Sequence, residues 1–303
     1  MKRNKIVIGT RSSKLALIYA DKVKNEFEKF YDGEIIIKKI NTSGDNNLKV
    51  RLSELGGKGL FSKNIEEELV NDKIDIAVHA LKDLPCNNTE GLKINCFLKR
   101  NNSNEVMISN TKKHFNELAP GSIIGTSSFR REFQLKRKRK DLNFKLIRGN
   151  VDTRIKKLKS GEYDAIILSK AGLSSLNLEK EITQEFSVKE LIPSAGQGAI
   201  AIQCRINDGE MLGFLEKINH SETRMLVNAE REVLKVLDGD CETAVGVTSE
   251  IREKKLFITA ELFSIDGNTR FFCEASSELK ESEKTGKEVG KKLKLQSKGN
   301  YKK

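Results

Sequence analysis

The stretch that decides the fold is "IVIGTRSSKLAL", residues 6–17, because it returns in altered form as "SIIGTSSFRREFQL", residues 122–135. Each copy reads as a short apolar strand, then Gly-Thr, then serines, then an amphipathic helix. Each is followed by a second short apolar run, "DIAVH" from Asp75 and "DAIIL" from Asp164. Runs of that kind are buried on both faces in parallel sheets covered by helices. The repeat predicts two α/β lobes, each with a strand-to-helix turn that presents backbone N–H groups to an anion.

Helical periodicity is found around residues 14–29, 60–72, 128–139, 151–160, 208–217 and 221–237. In "NNLKVRLSELGGKGLF", Gly56, Gly57 and Gly59 lie among polar residues, which reads as a mobile loop closing onto a helix that starts near Phe61. After residue 218 the pattern changes to three strand-like runs, "TAVGVTSEI", "KLFITAELFS" and "TRFFCEA". The last two are joined by the turn Asp266-Gly267-Asn268, and a final helix is expected at about 278–295. This gives lobe 1 as residues 1–98 plus 194–217, lobe 2 as 99–193, and a small α+β domain as 218–303. From about residue 296 a basic tail is expected to be solvated and disordered.

The composition is that of a globular chain: 303 residues, 37% hydrophobic and 32% charged, with 3 prolines and no tryptophan. No window approaches 18 uninterrupted apolar residues, so no membrane span is expected. Met1-Lys2-Arg3-Asn4-Lys5 leads straight into a strand rather than a cleavable apolar segment, so a cytoplasmic location is expected. The net charge of +12 is concentrated in two places. Residues 130–148 hold nine basic and two acidic side chains, and residues 287–303 hold seven lysines and one glutamate. The rest of the chain is about neutral, which argues against a nucleic-acid-binding surface. Five widely spaced cysteines with no C-x-x-C, and three scattered histidines, predict reduced thiols and no metal site.

The residues at the two turns suggest chemistry. With Ser128 capping a helix, Arg130 and Arg131 occupy its first turn, where cations are unfavourable unless an anion offsets them. The basic run at 136–140 falls at the other end of that helix, where it complements the dipole. Arg11 lies beside Ser12 and Ser13 in the first turn, and Arg148 and Arg154 flank another helix start. Guanidiniums gathered at turns suit a ligand with several carboxylates or phosphates. Neither nucleotide-binding fingerprint is present. Lys82 and Asp83 follow a buried strand, the place where α/β proteins bind ligands, and Asp83 suits general acid/base work or the holding of a cation. Cys241 stands between Asp240 and Glu242, which disfavour its thiolate unless the sulfur is permanently capped. On residues alone an enzyme, a non-catalytic two-lobed polyanion receptor, and a nucleic-acid binder through residues 136–140 and the tail all stay open.

Taken together, "IGTRSSKLAL", "TSGD", "GGKGLF", "DIAVHALKDLP", "GTSSFRR", "LIRGNVDTR", "GEYDAIILSKAGL", "PSAGQGAIAI" and "LDGDC" occur in one order through almost the whole chain. The set closely resembles the hydroxymethylbilane synthase (porphobilinogen deaminase) family. The resemblance implies a transferase of tetrapyrrole biosynthesis that is cytoplasmic and monomeric, acts on porphobilinogen and needs no nucleic acid, membrane or metal. It implies two lobes of the type II periplasmic-binding-protein kind with the site in the cleft between them, and a small third domain. A dipyrromethane cofactor would be joined by a thioether to Cys241, with four porphobilinogen units added to it. Asp83 would be the catalytic carboxylate. Lys82, Asp83, Thr126, Ser128, Arg130 and Arg131 would hold the cofactor, and Arg11, Ser13, Arg148 and Arg154 the substrate carboxylates. Lys58 and Phe61 would belong to the loop over the site and Gln197 to the hinge. The sequence departs from the family pattern at Asp240, Ala244 and Ser174-Ser175. An impaired paralogue would share the fold and most of these motifs.

Overall fold

The computed structural model describes residues 3–42, 44, 59–239 and 243–302. In chain order its elements begin β1 (Lys5–Arg11), α1 (Lys14–Phe27), β2 (Glu34–Ile40), α2 (Lys63–Val70), β3 (Ile76–Ala80), β4 (Leu92–Phe97) and β5 (Glu105–Ser109). They continue with β6 (Ile123–Gly125), α3 (Phe129–Lys138), β7 (Asn143–Lys145), α4 (Val151–Lys159), β8 (Ala165–Ser169), α5 (Lys170–Ser175) and β9 (Gln184–Phe186). The last are β10 (Ile200–Arg205), α6 (Gly209–Ile218), α7 (Ser221–Leu237), β11 (Val245–Arg252), β12 (Lys255–Phe263), β13 (Arg270–Glu278) and α8 (Ser282–Ser297). No helix among the described residues is long and apolar enough to cross a membrane.

The described chain forms two compact units. The first, drawn from residues up to 101 and from 198–224, holds a mixed sheet in the order β2-β1-β3-β10-β4, in which β10 runs antiparallel to both neighbours. The second, drawn from 102–197 and 225–302, holds a sheet in the order β7-β6-β8-β5-β9, with β5 antiparallel to both neighbours. The two sheets therefore share one plan, as the sequence repeat predicts.

The repeat is matched down to single hydrogen bonds. The Val7 N–H donates to Asp75 Oδ2 at 2.7 Å, and the Asp75 N–H returns a bond to the Val7 carbonyl at 2.8 Å. In the second sheet the Ile123 N–H donates to Asp164 Oδ2 at 2.7 Å, and the Asp164 N–H to the Ile123 carbonyl at 2.9 Å. Each clamp sets the parallel register of its strand pair: Gly9 opposite Ala77, and Gly125 opposite Ile166. A slip by one residue would turn every apolar side chain to the wrong face. The glycines are needed for close approach, since a Cβ on Gly9 would fall 2.3 Å from Ile74 Cδ1 and one on Gly125 2.9 Å from Tyr163 Cδ1.

The first sheet buries Ile6, Ile8, Val78 and Ile202 against Val23, Phe27, Met211 and Leu215 of α1 and α6. Its other face packs Ala77 and Leu92 on Ile65 and Leu69 of α2. The second sheet is covered likewise, by Leu135 of α3 on one side and by Ile155 and Leu158 of α4 on the other. Each such side chain contributes about 1.5–3 kcal/mol by leaving water.

Within the second unit, β11, β12 and β13 form an antiparallel sheet whose apolar face meets α7 and α8 through Val233, Leu237, Val247, Ile258, Val289 and Leu293. The chain end differs from the disordered tail expected of its lysines. The last helix runs to Ser297, and beyond it Tyr301 is 7% exposed with its hydroxyl donating to the Leu237 carbonyl at 3.1 Å. One aromatic anchor outweighs the solvation of the lysines around it.

Two helical glycines give opposite expectations. A Cβ on Gly286 of α8 would lie 2.1 Å from the Ala229 carbonyl oxygen, whereas one on Gly213 of α6 meets nothing within 4 Å. Gly286→Ala should cost about 1–3 kcal/mol or more by overpacking against backbone. Gly213→Ala should add about 0.5–1 kcal/mol through helix propensity. Thermal unfolding of the two variants should move in opposite directions from the parent, and a shared direction would contradict this packing.

Candidate active site

Strands β1 and β3 are parallel neighbours, so their C-terminal ends lie together, and the residues just beyond them meet. Arg11 ends β1, and Asp83 closes the short 3-10 turn Leu81–Asp83 that follows β3. Arg11 Nη1 stands 3.7 Å from Asp83 Oδ2, with the side chains 18% and 34% exposed. The guanidinium also lies 4.1 Å from the Phe61 ring centroid, a cation–π contact. That ring sits on Gly44, where a Cβ would approach it to 2.4 Å. Ser13 is the N-cap of α1, its Oγ accepting from the Ala16 N–H at 3.3 Å. A cavity of about 40 Å³ is lined by Arg11, Ser13, Tyr19, Phe61, His79 and Asp83, among others. The pocket thus joins the Arg11 cation, the Asp83 carboxylate and the Ser13 hydroxyl to an aromatic wall.

Behind it lies a buried polar relay that the sequence reading missed. His79, the one polar side chain facing the core within the apolar run of β3, is 6% exposed. It lies beside the relay itself, in which Gln203 Nε2 of β10 donates to Glu66 Oε1 at 2.8 Å and Glu66 Oε2 accepts from Ser62 Oγ at 3.2 Å, while His79 Nε2 has no hydrogen-bond partner among the described residues. Burial pushes the His79 pKa down to about 4, opposed by the Glu66 charge and the Gln203 contact. The signal available in sequence was a histidine inside the strand run "DIAVH".

The second unit collects the other expected residues. Thr126 is buried, its Oγ1 accepting from the Ser128 N–H at 3.2 Å, and Ser128 caps α3 by accepting from the Arg131 N–H at 3.5 Å. Arg130 and Arg131 are both buried, and the anion that offsets them is internal. Arg130 Nη2 donates to Glu105 Oε1 at 2.5 Å, and Arg131 Nη2 to Glu105 Oε2 at 2.7 Å. Arg148 is buried and Arg154 half-buried, the latter donating from Nε to the Gly149 carbonyl at 2.7 Å. Gln197 is buried and donates to the Ser103 carbonyl at 2.7 Å. In the first unit Lys82 is exposed. Lys58 and Cys241 lie outside the described residues.

Part of the basic run is structural. Arg139 bonds Asp141 through Nε and Nη2 and donates to the carbonyls of Phe115, Asn116 and Leu118. It ties the end of α3 to the preceding loop rather than extending a nucleic-acid surface.

Burial of His79 makes stability depend on pH. The unfolded chain protonates His79 near 6.5, whereas the folded chain holds it neutral down to about 4. Its burial therefore costs nothing extra above 6.5 and progressively more as pH falls to about 4, in total roughly 3 kcal/mol. Denaturant unfolding of His79→Gln should lose less stability across that window than the parent does. Equal losses in the two proteins would show that His79 is not held neutral.

Comparison with known proteins comes down on one family. "Porphobilinogen deaminase, dipyromethane cofactor binding domain" matches residues 6–213, and "Porphobilinogen deaminase, C-terminal domain" matches residues 225–295. A porphobilinogen deaminase of Prochlorococcus marinus (strain MIT 9515) is 41% identical over 300 residues, covering 98% of this chain and 95% of its own. One of Bacillus pumilus (strain SAFR-032) is 44% identical over 269 residues, covering 87% and 86%. Among solved structures, substrate binding domain 2 of Lactococcus lactis GlnP is similar at 13% identity over 72% of this chain and 88% of that one, with a TM-score of 0.43. The two domain matches and the near-full-length relatives show that this chain belongs to the porphobilinogen deaminase family, transferases of tetrapyrrole biosynthesis with a dipyrromethane cofactor-binding domain.

Proposed function

We propose that this chain joins four porphobilinogen molecules head to tail on a dipyrromethane primer held as a thioether by Cys241, each unit losing ammonia, and then releases hydroxymethylbilane by hydrolysis. The observation that carries the reading is the Asp83 carboxylate set against Arg11 in a pocket walled by Phe61 and Tyr19. A dipyrromethane has flat rings, N–H donors and carboxylates, and this chain has a counterpart for each. The rings suit the aromatic wall, the N–H groups suit Asp83, and the carboxylates suit the arginines. In the second unit Arg131 Nε is buried with no hydrogen-bond partner among the described residues, a donor that an incoming carboxylate would satisfy. When bound, the cofactor supplies the nucleophilic carbon to which the first unit is joined.

The chain's own residues then have distinct tasks. The Asp83 side chain balances the cation left when the substrate's ammonium group departs as ammonia, and accepts the proton released on coupling. Arg11, Ser13, Arg148 and Arg154 bind substrate acetate and propionate groups. Lys82, Thr126, Ser128, Arg130 and Arg131 do the same for the cofactor. Phe61 and Tyr19 keep water from the reacting carbon. Lys58 and Gln197 also serve substrate binding. On this reading the chain works as a cytoplasmic monomer divided as 1–98 plus 194–217, 99–193 and 218–303.

Intact mass tests it. The purified chain should exceed its bare mass by two pyrrole units, Cys241→Ser should not, and porphobilinogen should add further units to the parent alone. A parent at its bare mass that gains nothing from porphobilinogen would contradict the assembly chemistry and favour a polyanion receptor.

A further inference from the structure

Arg130 and Arg131 present an electrostatic problem that Glu105 resolves. They are adjacent in sequence, more than nine-tenths buried, and placed in the first turn of a ten-residue helix, where the dipole already favours anions. Burial and the neighbouring Arg131 charge both push the Arg130 pKa down, and Glu105 opposes them. Glu105, the first residue of β5 and 0% exposed, divides its two oxygens between the two guanidiniums. Each arginine is fixed at a second point by a main-chain carbonyl, Arg130 Nη1 to Ile192 at 2.7 Å and Arg131 Nη1 to Ile167 at 3.0 Å. Two points set the plane of a guanidinium. With the planes set, Arg131 Nε remains a buried N–H without a hydrogen-bond partner among the described residues. Glu261, a second buried carboxylate whose charge reaches Arg130, makes no hydrogen bond to either arginine among the described residues: its Oε2 accepts from Arg270 Nε at 2.7 Å and its Oε1 has no partner there.

We propose that Glu105 is a positioning residue for cofactor capture: it orients Arg130 and Arg131 and cancels one of their two charges, so that the receptor for a cofactor carboxylate is formed before the cofactor arrives. The proposal rests on the reading that these two arginines hold the cofactor. It makes Glu105 matter for loading in a way that ordinary core packing does not.

The test compares the fraction of cofactor-loaded chain, by intact mass, in folded protein of five kinds: the parent, Glu105→Gln, Glu105→Asp, Arg131→Lys and Leu135→Ala. Leu135 is fully buried in the same helix and serves as the packing control. Glu105→Gln should raise the bare fraction at least tenfold, whereas Leu135→Ala should load within twofold of the parent despite a lower unfolding temperature. Glu105→Asp keeps the charge but is one methylene short of spanning both arginines, so it should load to an intermediate extent. If Glu105→Gln yields no folded protein, this comparison decides alone. Glu105 variants loading as fully as Leu135→Ala, while Arg131→Lys stays bare, would overturn the positioning role only. Full loading of Arg131→Lys would overturn the reading of the arginines beneath it.

Discussion

The clamp between an aspartate and the strand beside it is the interaction on which the rest of the molecule depends. Asp75 holds Val7, and Asp164 holds Ile123, each through a reciprocal pair of bonds of 2.7–2.9 Å. A carboxylate accepting from a backbone N–H is worth about 1.5–3 kcal/mol, more than a neutral bond. Its larger effect is on register. Once β1 and β3 are locked in step, the residues that leave their ends are brought together, and Arg11 meets Asp83 at 3.7 Å. The same clamp in the second sheet aligns β6 with β8 and delivers Thr126 and Ser128 to the start of α3.

The two units use charge differently. In the first, one guanidinium stands against one carboxylate, both partly open to solvent. In the second, two buried guanidiniums share one fully buried carboxylate. The first arrangement suits a carboxylate that must meet a reacting molecule. The second leaves a net positive charge on a rigid frame, which suits holding an anion. Neither depends on the bulk of the chain's overall charge of +12, which lies in residues 136–140 and 287–303.

Much of this was legible in the sequence because it is local. The Gly-Thr-Ser turns, the helix cap at Ser128, and the aspartates ahead of the β3 and β8 runs are short-range patterns, and the structure has them where the repeat places them. What was not legible depends on distant pairing. Nothing in "NNSNEVMIS" marks Glu105 as the partner of arginines 25 and 26 positions away until β5 enters the sheet antiparallel to β8. The relay from Glu66 to Gln203 spans 137 positions and needs α2 packed on β10. Tyr301 was hidden for another reason: the lysines around it dominate the composition, yet one buried ring and its bond to Leu237 decide where the chain end lies.

The role proposed for Asp83, handling charge and protons, is tested most directly by ammonia release from Asp83→Asn in chains shown by mass to carry the cofactor. Asparagine keeps the size and most hydrogen bonds but can neither balance a cation nor accept the proton. Single-turnover ammonia release should fall by about 10²–10⁴-fold, the range for a lost general acid/base, with the unfolding transition unchanged. Release at the parent rate would contradict the account and move the chemistry away from the Arg11–Asp83 pocket.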